Sequence, residues 1–347
     1  MDFKLRNETR PHCAGIRWHC AVIVQFVFAF ALLFMGAGRV SAADAPKALD
    51  APVKLVIGAV NSANWASIAV MADKLKKLNV QMDVVKFVRY ADARTALASG
   101  SLDLATLGPA DLPIAVSQGI KGVIALMGNA TSAKYVVTAK DAKYEKWNDL
   151  CGKKIGIAPG SAVWFQFVAT LKEQGIAYNC MTPIQVQGGG NNMDIALKRG
   201  DIDALVAWEP FESTPVVEGY GSWAMALDYS LSKAVGSELG MLGGAATALK
   251  DPAKKAAIER FIWVLLDVNA ELEKSPEAKL EAVRQYTGLE GEVVKRIAKN
   301  ITFKPVMTLE QMQRQAKLFH ELGTIQKDVS GELAAYYQDE IYRKYVK

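Results

Sequence analysis

Short apolar runs alternate along this chain with longer segments in which apolar and polar residues interchange at helical spacing. "VKLVIGAV" (53–60), "VQMDVVKFV" (80–88), "KKIGIA" (153–158), "PIQV" (183–186) and "IDALVA" (202–207) read as strands. "AVWFQFVATLKEQG" (162–175) and "QMQRQAKLFHEL" (311–322) read as helices. The pattern echoes itself. "ALASGSLDLA" (96–105) and "ALKRGDIDAL" (196–205) share Ala, Leu, Gly and Asp at positions 100 apart, each reading as a helix end, a glycine cap (Gly100, Gly200) and a buried strand. "VKLVIGAVNSANW" (53–65) and "KKIGIAPGSAVWF" (153–165) repeat at the same spacing. Each half therefore reads as strand, helix, strand, helix, strand, the alternation of a parallel α/β sheet, and two similar lobes are expected.

That reading locates ligand chemistry before any residue is chosen for it. In open α/β sheets ligands sit beyond the carboxyl ends of the strands. Here those ends are "NSANW" (61–65), "RYAD" (89–92) and "GPAD" (108–111) in one half, and "GSAVW" (160–164), "GGGNN" (188–192) and "WEP" (208–210) in the other. Two lobes facing each other across such loops enclose a cleft.

The first 43 residues stand outside this pattern. Lys4, Arg6, Arg10 and Arg17 precede the apolar run "AVIVQFVFAFALLFM" (21–35), and small residues follow, so the segment reads as a secretory signal peptide cleaved after Ala42 or Ala43. The run is short of the roughly 20 residues of a membrane-spanning helix. Removing it takes Lys4, Arg6, Arg10, Arg17 and Arg39 with Asp2 and Glu8, leaving 36 basic and 34 acidic residues from 41 and 36. The apparent basicity belongs largely to the export segment and points to no nucleic acid. His12 and His19 leave too, so one histidine, His320, remains, in a helical pattern; triads and histidine-rich metal sites lose support. Cys13 and Cys20 leave as well. The remaining pair in an exported chain, Cys151 and Cys180, reads as a disulfide at the amino ends of adjacent strands.

With those motifs in view, the chain resembles the periplasmic solute-binding proteins of the nitrate/sulfonate/taurine class that serve ABC importers. The resemblance rests on Gly58, on Ala96, Leu97, Gly100, Leu102 and Asp103, on "DL-x-GKKI" through Ser161, and on Ala196 to Pro210. It implies a type II-like periplasmic-binding-protein fold: two α/β lobes, each a mostly parallel sheet flanked by helices, with the cleft between them. Lobe 1 would comprise 44–134 and 240–347, and lobe 2 135–239. The family's turn departs here to "GPAD", which places a carboxylate at Asp111.

The candidate ligand residues carry two readings each. Ser161 suits a helix N-cap, and its neighbours, Ala162 included, suit anion binding by free amides. Asn61 and Ser62 occupy the matching place in lobe 1. Trp65, Trp164 and Trp208 are core candidates or apolar walls for a carbon skeleton, and Glu209 could meet an amine. Gly189 and Asn191 belong to a glycine-rich turn without the Gly-Lys-Ser/Thr of a nucleotide site. Ser132 lies where the chain crosses between lobes. Arg89 and Arg94 read as solvated surface. The expected function is import of a small organic anion, an aliphatic sulfonate or a taurine-like zwitterion, by a periplasmic monomer that delivers it to an inner-membrane ABC permease. No cofactor, metal or covalent chemistry is called for. A two-lobed enzyme or binding protein for a pyrimidine precursor, or a ligand-presenting sensor component, are the alternatives.

Overall fold

The computed structural model describes residues 45–186 and 189–346. The expected export segment, and Gly188 of the glycine-rich turn, lie outside them.

Two five-stranded sheets carry the two lobes. The first is built from β1 (Val53–Val60), β2 (Val80–Phe87), β3 (Leu104–Leu107), β4 (Val123–Gly128) and β11 (Met241–Ala245), in the order β2-β1-β3-β11-β4. The second is built from β6 (Tyr135–Ala139), β7 (Lys154–Ile157), β8 (Thr182–Gln185), β9 (Ala204–Leu205) and β10 (Gly221–Asp228), in the order β8-β7-β9-β6-β10. The orders correspond strand for strand. In both, the first three strands are parallel and the fourth runs antiparallel. Each antiparallel fourth strand is supplied by chain arriving from the other lobe, so the chain crosses between lobes before β6 and before β11. A small third sheet pairs β5 (Ala130–Ser132) with β12 (Ile301–Phe303) at the first crossing.

The echo at 100 residues has a mechanical cause. The Asp103 carboxylate accepts the Val56 N–H at 2.8 Å, and the Asp203 carboxylate accepts the Lys154 N–H at 2.7 Å. Each aspartate thus pins the start of the third strand to the first. Just beyond, a Cβ on Gly58 would lie 2.5 Å from Leu102 Cδ1, and a Cβ on Gly156 would lie 2.5 Å from Ile202 Cδ1. A glycine in the first strand makes room for the Leu or Ile that enters the third. Gly58 therefore answers to Gly156, not to Ala158 as the 100-residue spacing has it. The repeated residues are scaffold.

Apolar alternation places Leu55, Ile57, Leu104 and Leu107 in a core closed by Phe261 and Leu265 of the long helix Pro252–Lys274. In the second lobe Ile155, Phe167, Leu171 and Tyr229 fill one face of the sheet, while Leu197, Ile202 and Leu205 fill the other. Each such burial contributes roughly 1.5–3 kcal/mol. Cys151 and Cys180 are joined, at the amino ends of β7 and β8 and away from the strand ends that face the other lobe. Among the described residues no helix is long and apolar enough to cross a membrane.

Candidate functional site

A cavity of about 640 Å³ lies between the carboxyl ends of the two sheets. Its lobe 1 wall includes Ser62, Asn64, Tyr90, Arg94 and Asp111; its lobe 2 wall includes Gly160, Ser161, Ala162, Gly189, Trp208 and Glu209. The size suits a small organic molecule.

The lobe 2 wall begins with α2 (Ala162–Glu173), which follows β7. Gly160 turns the chain with φ +80°, a conformation costly for residues with a Cβ. Ser161 then caps the helix, its hydroxyl accepting the Trp164 N–H at 3.2 Å. The cap reading of Ser161 is realised, and it leaves the Ala162 and Val163 amides without intrahelical partners at the positive end of the helix dipole. That is an anion-binding geometry.

Facing it, α1 (Tyr90–Ala98) carries Arg94. Its Nη1 donates to Asp111 Oδ1 at 2.5 Å, while Asp111 Oδ2 accepts the Gly108 N–H at 2.8 Å. The two side chains retain 12% and 8% of their exposure, and Arg94 Nε is buried with no hydrogen-bond partner. Arg94 is therefore a largely buried member of the cavity wall and not the solvated residue expected from sequence. A short amphipathic segment does not reveal which of two arginines turns inward. Burial pushes the Asp111 carboxyl above its usual range, and the Arg94 charge opposes that shift. Arg89 lies at the rim, exposed and held by Asp92.

Glu209 is also buried. One oxygen takes the Ser213 hydroxyl at 2.7 Å and Asn300 Nδ2 at 2.9 Å; the other takes the Ser213 N–H at 3.2 Å. Burial raises its pKa, and the Asn300 and Ser213 hydrogen bonds and the Arg296 charge oppose that shift. Trp208 lies beside it, edge-on to Phe211 at 5.6 Å.

Ser62, Asp111, Ser161, Ala162, Gly189, Trp208 and Glu209 are thus brought together, and five candidates are not. Trp65 is fully buried in the lobe 1 core against Gly240. Trp164 turns away from the cavity, packs on Phe165 and donates its indole N–H to Tyr178. Only one of the three tryptophans lines the cavity, because a helix start points successive side chains in different directions. Asn61 and Asn191 are exposed, and Ser132 is buried in β5 against β12. Sequence reasoning also missed Lys134, fully buried at the first crossing near Glu212, Asp228, Glu238 and Glu209, where desolvation lowers its pKa to about 8. A lone lysine after a polar turn carries no signal of such burial. A second, more open groove of about 630 Å³ lies between Trp223 and the helix Gly291–Asn300; it lacks the strand ends that converge on the central cavity.

Residues 66–218 match the family of the ABC transporter, phosphonate, periplasmic substrate-binding protein. The taurine-binding periplasmic protein of Escherichia coli (strain K12) is 29% identical over 160 residues, 46% of this chain and 49% of that protein. The chain thus spans about half the length of the curated relative it matches. The alkanesulfonate-binding protein SsuA from Xanthomonas axonopodis pv. citri, bound to MOPS, superimposes with a TM-score of 0.70 at 19% identity, over 84% of this chain and 100% of that one. The periplasmic nitrate-binding protein NrtA from Synechocystis PCC 6803 does so with a TM-score of 0.66 at 14% identity, over 87% and 89%. The chain is thus similar over part of its length to periplasmic substrate-binding proteins of ABC transporters, and it shares the fold of the sulfonate- and nitrate-binding structures. The Arg94–Asp111 pair and the first turn of α2 line the same cavity between the carboxyl ends of the two sheets.

Proposed function

We propose that the chain is a periplasmic binding protein that encloses a small organic anion, an aliphatic sulfonate or a taurine-like zwitterion, and presents it to an inner-membrane ABC permease. The observation that carries this reading is the pairing, across one cavity, of the free amides of α2 with Arg94. The acid group sits between the Ala162 and Val163 amides and the lobe 1 wall, Trp208 covers the carbon chain, and Glu209 takes an amine where one is present. Gly189 and Ser62 close the wall; Asn61, Trp65, Trp164, Ser132 and Asn191 have no contact role in this scheme. The lobes divide at residues 134/135 and 239/240, so closure moves 135–239 against the rest, and no covalent chemistry is involved. Export by the segment 1–43 delivers the chain to the periplasm as a monomer.

The taurine relative and the sulfonate- and nitrate-binding neighbours support an anion, and the apolar Trp208 face supports an organic one. Thermal unfolding of the unliganded protein against alkanesulfonates, taurine, nitrate, carboxylates and pyrimidine precursors tests the reading. A ligand at 100 times its Kd adds about 2.7 kcal/mol to stability. A sulfonate should raise the midpoint, and Trp208→Ala should abolish the rise. Glu209→Gln should weaken taurine more than ethanesulfonate. A midpoint moved only by a pyrimidine precursor would overturn the ligand class.

A further inference from the structure

The charges around the central cavity cancel in a way that restricts what it can hold. Four ionisable side chains that bear charge line it: Arg89, Arg94, Asp111 and Glu209. Arg89 is 73% exposed and is engaged by Asp92 through two hydrogen bonds of 2.9 and 2.7 Å. Arg94 is matched by Asp111, both nearly buried. Glu209 adds only negative charge. Among the described residues no unmatched cation lines the cavity itself; Arg296 and Lys134 act on Glu209 from behind the wall, and the start of α2 adds a partial charge of roughly +0.5.

We propose that Asp111 makes this a single-charge site: by matching Arg94 it leaves the wall able to accept one negative charge and not two, so monoanionic organic acids enter and dianions of the same shape are refused. The inference rests on the reading of the cavity as an organic-anion site. Its basis is geometric. Asp111 is fixed twice, by Arg94 and by the Gly108 N–H, and cannot swing away when a ligand arrives. Gly108 in turn abuts α2, for a Cβ built on it would lie 3.3 Å from Asp111 Oδ2 and 3.6 Å from Ala162 Cβ. The carboxylate therefore stands close to the amides that receive the acid group. A second negative charge would be desolvated there beside Asp111, and in a low-dielectric site like charges repel strongly. Arg94 acts on a ligand through its charge, because its unbonded Nε is itself buried.

Sulfonates carry one charge at every working pH, whereas a phosphonate passes from one charge to two, as phosphate monoesters do near pH 6. The test measures Kd by calorimetry for two pairs of matched shape, ethanesulfonate with ethylphosphonate and taurine with 2-aminoethylphosphonate, at pH 5.5 and 8.5. For the wild type, sulfonate affinity should stay level while phosphonate affinity falls severalfold at the higher pH, in step with depletion of the monoanion. Asp111→Asn should remove most of that fall, and Arg94→Gln should weaken every ligand; melting curves establish that both variants fold. The wild-type profile reads the proposal without any substitution. A phosphonate bound equally well at both pH values overturns the single-charge site while leaving the anion cavity in place. A fall that persists in Asp111→Asn overturns the assignment to Asp111. Failure of all four ligands to bind the wild type overturns both the cavity reading and this one.

Discussion

Gly108 of the first lobe faces Ala162 of the second so closely that a Cβ on the glycine would stand 3.6 Å from the alanine's. The turn after β3 and the first residue of α2 therefore meet with only a hydrogen on one side, and the rim of the cavity is drawn together at that point. Gly108→Val would put two methyl groups into the gap. Ligand affinity should fall by about tenfold or more, as expected when a closing step is obstructed. Small-angle scattering would compare the radius of gyration with and without ligand. Contraction of the variant to the wild-type value would refute a role for this contact in closure.

The glycine in the first strand makes a separate prediction. A Cβ on Gly58 would be 2.5 Å from Leu102 Cδ1, a distance that forces a shift. Gly58→Ala should cost about 1–3 kcal/mol in denaturant unfolding, the range for overpacked cores. Leu102→Ala alone opens a cavity and is also destabilising, but the double variant should cost less than the sum. Strict additivity would mean that the two residues do not press on each other.

Joining Cys151 to Cys180 closes a loop across 29 positions. On the chain-entropy account its loss should cost about 3–4 kcal/mol. Because both cysteines lie at the amino ends of β7 and β8, Cys151→Ser/Cys180→Ser should unfold at lower denaturant yet bind ligand with unchanged affinity. A loss of affinity in the folded variant would show that the bridge shapes the cavity.

Asp194, in the helix Gly190–Arg199, is buried, has an oxygen without a partner, and is pushed up to about 8 by desolvation, reinforced by Glu218 and Glu209. Its folded pKa lies above the unfolded one, so the protonated form favours folding. That contribution is complete below about pH 4 and is lost as pH rises through 8. Asp194→Asn should therefore gain stability relative to wild type between pH 5 and pH 9, by a few degrees in melting temperature at the upper end. A difference that does not change with pH would rule out titration of this carboxyl in that window.

Much of the architecture was legible before any coordinates. Apolar periodicity located the strands, and the echo around Asp103 and Asp203 located matching strand starts in the two halves, because a carboxylate pinning two strands and a glycine admitting a side chain are local demands on residue type. The cavity wall was legible only in part. Ser161, Ala162, Trp208 and Glu209 were found because they stand at strand ends, whose position follows from the order of elements. Trp65 and Trp164 stand there too, yet the fold turns one into the core and packs the other on Tyr178.

The chain by itself determined the alternation of elements, the disulfide partners and the strand ends where a solute can sit, since each depends on neighbours in sequence or on a count of residue types. Only the tertiary structure decided that Arg94 is a largely buried wall residue matched to Asp111, 17 positions away, and that both stand opposite the start of α2. Charge pairing in a cavity depends on which side chains two separate lobes turn toward one point, and that orientation is set by packing across the whole fold, not by the residues on either side.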